Sequence, residues 1–293
     1  MAENAGVYWI SLWDHFYDNP SLEGNGDCFE AVSMLAALAS STSKVRVGCL
    51  VFSTTYRNPA ILAKIAVTID HISGGRLELG LGAGWFELEH LAYGIPFPPT
   101  GIRLDMLEES VKIIKSMLTK DSTTFHGKHF SVENAVCNPK PIQNPLPMYS
   151  PGRNPGSLRR IAKNSMGYLI RNSEAQDRLE AIKPFLTEYG RDISELDVVA
   201  ESHLSLASTH QDAVTNYQNS RLGDRSKSMN IGDMNKVISD NWIGTVNEVV
   251  EKIVSTKEMG ISKGISSIPI PLKTRLTSLA ISFIWFWFFT IFG

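Results

Sequence analysis

Residues 45–85 read VRVGCLVFSTTYRNPAILAKIAVTIDHISGGRLELGLGAGW. The stretch opens on an apolar run at 45–51 and closes on another at 76–82, both too continuously apolar for strands with one wet face. Between them, residues 58–70 carry helix signals: Asn58 as a cap, Pro59 at the first helical position, and Ser73-Gly74-Gly75 as a stop. A buried strand, a helix and a second buried strand in this order make a parallel βαβ unit.

The same alternation continues outward. Strand candidates lie at 7–13 (VYWISLW), 147–150 (PMYS), 167–170 (GYLI), 197–207 (DVVAESHLSLA) and 265–270 (ISSIPI). Helices fit 28–40, 103–118, 155–164, 174–188 and 245–258. The second of these places Leu104, Leu107, Val111, Ile114 and Leu118 on one stripe. Residues 123–136 read as a small inserted hairpin. The strands number seven, and an eight-stranded barrel needs one more. Met1–Gly6 reads as the end of a helix that would follow a first strand.

At 293 residues the chain can bury a large core, and its formal net charge of -2 offers nothing to draw a nucleic acid. Cys28, Cys49 and Cys137 are odd in number and widely spaced, which favours a reducing cytoplasm and forms no metal motif. His126 and His129 in the hairpin have no evident acidic partner, so no metal is expected. Residues 276–293 carry no charge and follow Lys273 and Arg275. Eighteen uncharged residues are the lower limit for a span, so peripheral membrane attachment through this tail stands beside a packed end. The expected organisation is one domain at 1–273 and a hydrophobic tail at 274–293.

In a barrel of parallel strands the chemistry collects at the C-terminal strand ends. There the sequence places Asp14-His15, Ser53-Thr54-Thr55, Gly82-Ala83-Gly84-Trp85 with Glu87 and Glu89, Ser150-Pro151-Gly152-Arg153-Asn154, and Arg171-Asn172. Each also has a plainer reading as a loop cap. A second pair, Asp70-His71, ends a helix, which puts it toward the opposite rim and favours a structural role. The spacing of Gly80, Gly82 and Gly84 lacks the third glycine of a dinucleotide loop, and these glycines read better as room for a flat ring. Cys49 sits in an apolar run and reads as core rather than as a nucleophile.

SLWDHF at 11–16, residues 45–99 and AVCNPKPIQNPLPMY at 135–149 together resemble the luciferase-like monooxygenase superfamily, and within it the coenzyme F420-dependent oxidoreductase branch. The resemblance implies an α/β TIM (β/α)8 barrel, here without its first strand, with a deazaflavin across the strand ends and hydride transfer at its C5. It assigns His15 and Asp14 as catalytic. It assigns cofactor contacts to Asp14, Cys49, Leu50, Val51, Thr54, Gly82, Ala83, Gly84, Trp85, Glu89, Gly152 and Arg153, and a non-proline cis peptide to Leu50-Val51. An imidazole beside the reacting carbon can exchange the balancing proton near neutral pH.

Three functions follow as expectations. The first is an F420-dependent oxidoreductase acting on a small organic molecule, with its substrate set by loops at 86–102 and 208–240. The second is an FMN-dependent monooxygenase served by a separate flavin reductase, and the third is a non-catalytic truncated barrel. A homodimer is in keeping with the family.

Overall fold

The computed structural model describes residues 3, 8–17, 27–164, 166–228, 233–267 and 288–292. The chain divides into two compact units, one of Leu12–Tyr17 and Asp27–Gly167, the other of Met1–Ser11, Asp18–Gly26 and Tyr168–Gly293. Strand β1 (Trp9–Leu12), buried at all four positions, gives Leu12 to the first and Trp9–Ser11 to the second.

In the first unit, α1 (Ala31–Ser41) starts on Glu30, whose carboxylate accepts the Val32 and Ser33 amides at 3.0 and 2.8 Å. The quoted stretch folds as β2 (Arg46–Ser53), α2 (Pro59–Ser73) and β3 (Leu77–Gly82). Asn58 accepts the Ala60 amide at 2.8 Å, and Gly74 closes the helix at φ +67°, a left-handed turn that favours glycine. Strands β2 and β3 run parallel in the register Val47↔Leu77, with a bulge between Cys49 and Phe52. The Leu50-Val51 peptide inside that bulge is cis, where the sequence places it.

Next come α3 (Glu87–Ala92), α4 (Thr100–Thr119), the hairpin β4 (Thr123–His126) and β5 (Ser131–Ala135), β6 (Met148–Pro151), parallel to β3, and α5 (Pro155–Lys163). The core gathers Val47, Phe52, Leu62, Leu77, Leu79 and Leu81, all at most 1% exposed. Burying each such side chain stabilises the fold by about 1.5–3 kcal/mol. On α4, Leu107, Val111, Ile114 and Leu118 are buried as the stripe requires, while Leu104 is half-buried.

In the second unit, which takes β7 (Gly167–Arg171) from Tyr168 onward, that strand runs parallel to β8 (Val198–Leu206), with α6 (Ala175–Glu188) between them in sequence. Three helices follow: α7 (His210–Gln218), α8 (Arg221–Ser228) and α9 (Met234–Asp240). Then come β9 (Trp242–Gly244), α10 (Val246–Glu258) and β10 (Lys263–Ser267). Strands β9 and β10 both pair in parallel with β8. Strand β11 (Phe288–Phe292) lies antiparallel to β10 and to β1.

Several details differ from the sequence reading. Strand β9 has only three residues, too few to show a period, and raises the strands in βα alternation from seven to eight among the described residues. Helix α3 turns Leu88 and Leu91 outward, which erases the amphipathic signature. His126 does meet an acid, Glu133 across the hairpin, with Nε2 and Oε2 3.1 Å apart. Residues 288–292 of the tail form a strand, whereas 276–287 and the reading of Met1 to Gly6 lie outside the described residues apart from Glu3. Among the described residues, no helix is long and apolar enough to cross a membrane.

Asp70 is fully buried at the end of α2, and its carboxylate accepts the Ile142 amide at 2.7 Å, the Gln143 amide at 3.1 Å and the Gln143 side chain at 2.8 Å. It thus ties down the chain before β6. Asp70→Ala leaves these donors without their acceptor and is expected to cost about 2 kcal/mol. The check is a lower urea midpoint with an unchanged denaturant slope.

Candidate functional site

After Leu12 the chain leaves β1 and presents Trp13, Asp14 and His15. The two titratable residues face different partners. Asp14 is 4% exposed, and its Oδ2 accepts the Ser53 amide at 2.9 Å. Arg57 grips both carboxylate oxygens, Nη1 to Oδ2 at 2.5 Å and Nη2 to Oδ1 at 2.8 Å, and lies over the Phe52 ring. Burial pushes the Asp14 carboxyl up from its usual value against the pull of Arg57 and the Ser53 amide. Burial alone would lower the Arg57 guanidinium, but Asp14 outweighs it and holds Arg57 protonated. Asp14 therefore locks the exit of β1 to the exit of β2, a positioning role that leaves neither carboxylate oxygen open.

His15 is held from behind. Its Nδ1 lies 2.7 Å from Oε2 of Glu89, a side chain with no exposed surface. The same carboxylate accepts the amides of Phe16 at 2.8 Å and Tyr17 at 3.1 Å, and the Tyr56 hydroxyl at 2.8 Å. Burial alone would raise the Glu89 carboxyl, but His15, Tyr56 and the Phe16 amide outweigh it and hold it below its ordinary value. An ionised carboxylate can only accept, so His15 Nδ1 is the donor. The neutral imidazole then keeps its lone pair at Nε2. Burial, followed by Glu89, pushes the Tyr56 phenol far up, so Tyr56 stays a hydrogen-bond donor.

Glu89 and its neighbour His90 are both fully buried on α3 and tether two different strand ends. His90 Nδ1 donates to the Phe86 carbonyl at 2.8 Å, so its Nε2 accepts from the Thr55 hydroxyl at 2.7 Å. Thr55 in turn accepts from Ser53 at 2.7 Å. Gly84 makes room for this chain: it has φ +73°, and a Cβ there would sit 2.8 Å from Ser53 Oγ.

Aromatic rings enclose the imidazole. Trp13, Trp85 and Phe86 stand edge-on to it at centroid distances of 5.5, 5.4 and 6.2 Å. Phe16 lies between Tyr56 and Tyr93, at 4.8 and 4.4 Å.

The remaining expected residues divide. Cys49 is fully buried, with its thiol pushed well up by burial, and offers no nucleophile. Thr54 is 1% exposed and bonds the Gly82 carbonyl, joining β2 to β3. The space beside Gly80 is filled by the Cys49 carbonyl and that beside Gly82 by Val51, so these glycines admit the β2 bulge rather than a ligand. Leu50, Val51 and Ala83 remain half-buried, and Trp85 is 50% exposed. At the end of β6, Gly152 packs on Ser157, and Asn154 caps α5 through the Ser157 amide at 2.9 Å.

Sequence reasoning missed Tyr56, Arg57, His90 and Glu30. Arg57 directly precedes the Asn58-Pro59 helix start, and that position was its one available signal.

A cavity of about 620 Å³ in the unit from Tyr168 onward carries its own histidine–carboxylate pair, His210 Nδ1 at 3.1 Å from Glu248 Oε1, but these side chains are 52% and 42% exposed where the Glu89 side chain has no exposed surface. Its Lys252 is committed to the carbonyls of Ile238, Asn241 and Ile243. At His15 the imidazole is anchored through Nδ1, which leaves the lone pair on Nε2.

The profile of the luciferase-like monooxygenases matches residues 1–263. An F420-dependent glucose-6-phosphate dehydrogenase of Kineococcus radiotolerans is 30% identical over 222 residues, 74% of this chain and 65% of that protein. The chain thus spans slightly less than two thirds of that relative. An FMNH2-dependent dimethylsulfone monooxygenase of Pseudomonas putida is 29% identical over 152 residues, 52% of this chain and 42% of that protein. Among solved structures, an F420-dependent secondary alcohol dehydrogenase in complex with an F420-acetone adduct aligns with a TM-score of 0.78 at 21% identity. The alignment covers 91% of this chain and 86% of that one, so the fold is the TIM-barrel type of these enzymes.

Glu89→Gln is expected to lower stability at pH 7 by about 2 kcal/mol, because charge-assisted bonds become neutral ones. The wild-type carboxyl titrates below its unfolded value, so its contribution is complete above that value and disappears as pH falls through the folded one. Urea midpoints of the two proteins should accordingly converge in acid.

Proposed function

Because the chain belongs to the luciferase-like monooxygenase family, we propose that it is an oxidoreductase using coenzyme F420 and a small organic substrate. His15 handles the proton that accompanies hydride transfer. The observation that carries this reading is the anchoring of His15 Nδ1 on the buried Glu89, which leaves Nε2 for the reaction.

The residues present fit a flat, electron-accepting ring. The bulge at Leu50 and Val51 offers half-exposed apolar surface, and Asp14 fastens the Ser53 end of that strand to the segment carrying His15. Leu50, Val51 and Ala83 would hold the ring, while Gly152 and Arg153 at the end of β6 would lie toward its phosphate tail. The bound deazaflavin supplies a two-electron hydride acceptor or donor.

The protein's own contribution is orientation and proton transfer. Glu89 selects the tautomer in which Nε2 is a base, and once a proton arrives there the same carboxylate faces an imidazolium and stabilises it. Tyr56 and the amides of Phe16 and Tyr17 keep Glu89 from rotating away. A reducing cytoplasm suits three free thiols.

The relation to the FMNH2-dependent monooxygenase supports a second reading, in which FMN and a partner reductase replace F420. Titration with both cofactors, followed by fluorescence, separates the two. Tighter binding of F420 is expected, and preference for FMN would move the assignment. Failure to bind either would leave the inert-barrel reading. His15→Ala should cut turnover by about 10²–10⁴-fold while cofactor affinity changes by no more than about threefold. Equal losses in both quantities would remove His15 from the proton-transfer role.

A further inference from the structure

We infer that His90 is a positioning residue for the cofactor seat. It accepts a hydrogen bond from Thr55, and through Thr55 and Ser53 it holds the end of β2 in the shape that receives the ring. The inference rests on the F420 reading above and concerns how tightly the cofactor is held, not how the proton moves at His15.

Hydrogen-bond direction decides the role. A carbonyl only accepts, so the Phe86 carbonyl, 2.8 Å away, fixes the proton of the His90 ring on Nδ1. The neutral ring then keeps one lone pair, on Nε2, and the Thr55 hydroxyl at 2.7 Å donates to it. With its single proton spent, Thr55 accepts from the Ser53 hydroxyl, also at 2.7 Å. Each hydroxyl of the chain thus has one orientation, set from the Phe86 end.

The chain is closely packed. His90 is fully buried, Ser53 is nearly so, and the rings of Tyr56 and Phe97 lie 4.8 and 4.6 Å from the imidazole. A Cβ on Gly84 would meet Ser53 Oγ at 2.8 Å, Thr55 Oγ1 at 3.0 Å and His90 Cε1 at 3.3 Å. All three members therefore lie directly beneath the loop that follows β3.

What the chain holds is the strand end that carries the bulge. Pairing of β2 with β3 skips from Cys49 to Phe52, so Leu50 and Val51 have no ladder partner on that side. Side-chain bonds just beyond the bulge must hold it instead. The Ser53 amide is tied to Asp14 at 2.9 Å, and the Thr54 hydroxyl to the Gly82 carbonyl at 3.1 Å. The Ser53–Thr55–His90 chain adds a third fastening, to α3. A seat already in its bound shape costs a ligand less to occupy, so loss of this fastening is read as lost affinity.

The test titrates the full chain with F420, followed by fluorescence. Thr55→Val should weaken binding by about tenfold, whereas Thr55→Ser, which restores the hydroxyl, should stay within about threefold of wild type. His90→Leu should match Thr55→Val, and the two together should lose about tenfold rather than about a hundredfold, because they break one chain. Should His90→Leu not fold, Ser53→Ala with Thr55→Val runs the same cycle. Unchanged F420 affinity in Thr55→Val with a lower urea midpoint would reduce the chain to a structural role and overturn the inference. Additive losses would also overturn it. No F420 binding by the wild-type chain would remove the reading beneath it and the inference with it.

Nitrogen-15 NMR of the histidine rings gives a readout independent of the cofactor. The wild-type chain should carry the His90 proton on Nδ1 and leave Nε2 bare. A proton on Nε2 instead would reverse the chain and overturn the inference.

Discussion

The carboxylate of Glu89, with four donors converging on it inside a buried pocket, sets the geometry of everything around His15. Two of those donors are backbone amides of the segment that follows His15, so the same group orients the imidazole and fixes the path of its chain. The Tyr56 hydroxyl brings in the loop after β2. A buried carboxylate in this position would be costly if left short of partners, and the cost of losing one is what makes the arrangement rigid. Asp14 performs the neighbouring task at the next residue pair, joining the ends of two strands through Arg57 and the Ser53 amide.

The glycine-rich end of β3 belongs to the same construction. Gly82 accepts the side chain of Val51, and Gly84 accepts the hydroxyls of Ser53 and Thr55. The residues that look most like a ligand loop in the sequence are, in the folded chain, room for the neighbouring strand. The side chains of Leu50 and Val51 lean into the space those glycines leave and remain half-buried.

Much of this was legible in the sequence. The continuous apolar runs and the Asn58-Pro59 and Gly74 signals fixed the βαβ unit to within a few residues, because caps and buried parallel strands have local causes. Asp14 and His15 stood out as charges at a strand end, and Glu89 as the acid in the loop after β3. Sequence could not show that His15 points to Glu89 while Asp14 points to Arg57, because both pairings join positions more than forty residues apart. Tyr56 and His90 gave no signal for the same reason. Helix α3 was hidden by its outward leucines, and β9 by its three-residue length. The two Asp-His pairs illustrate the limit well: Asp70 and Asp14 are both buried clamps, one on the Ile142–Gln143 segment and the other on Arg57 and the Ser53 amide, and the adjacent histidines part company. His71 bonds the Lys140 carbonyl, whereas His15 meets a second carboxylate.

Helix α3 carries a division of labour within six residues. Its buried face, Glu89 and His90, fastens two strand ends, and its outer face, Leu88 and Leu91, touches none of those bonds. Side chains on the outer face can therefore change in size and polarity while the imidazole keeps its place. One short helix thus leaves its outer residues free to vary while the hydrogen bonds of its inner face hold two strand ends in place.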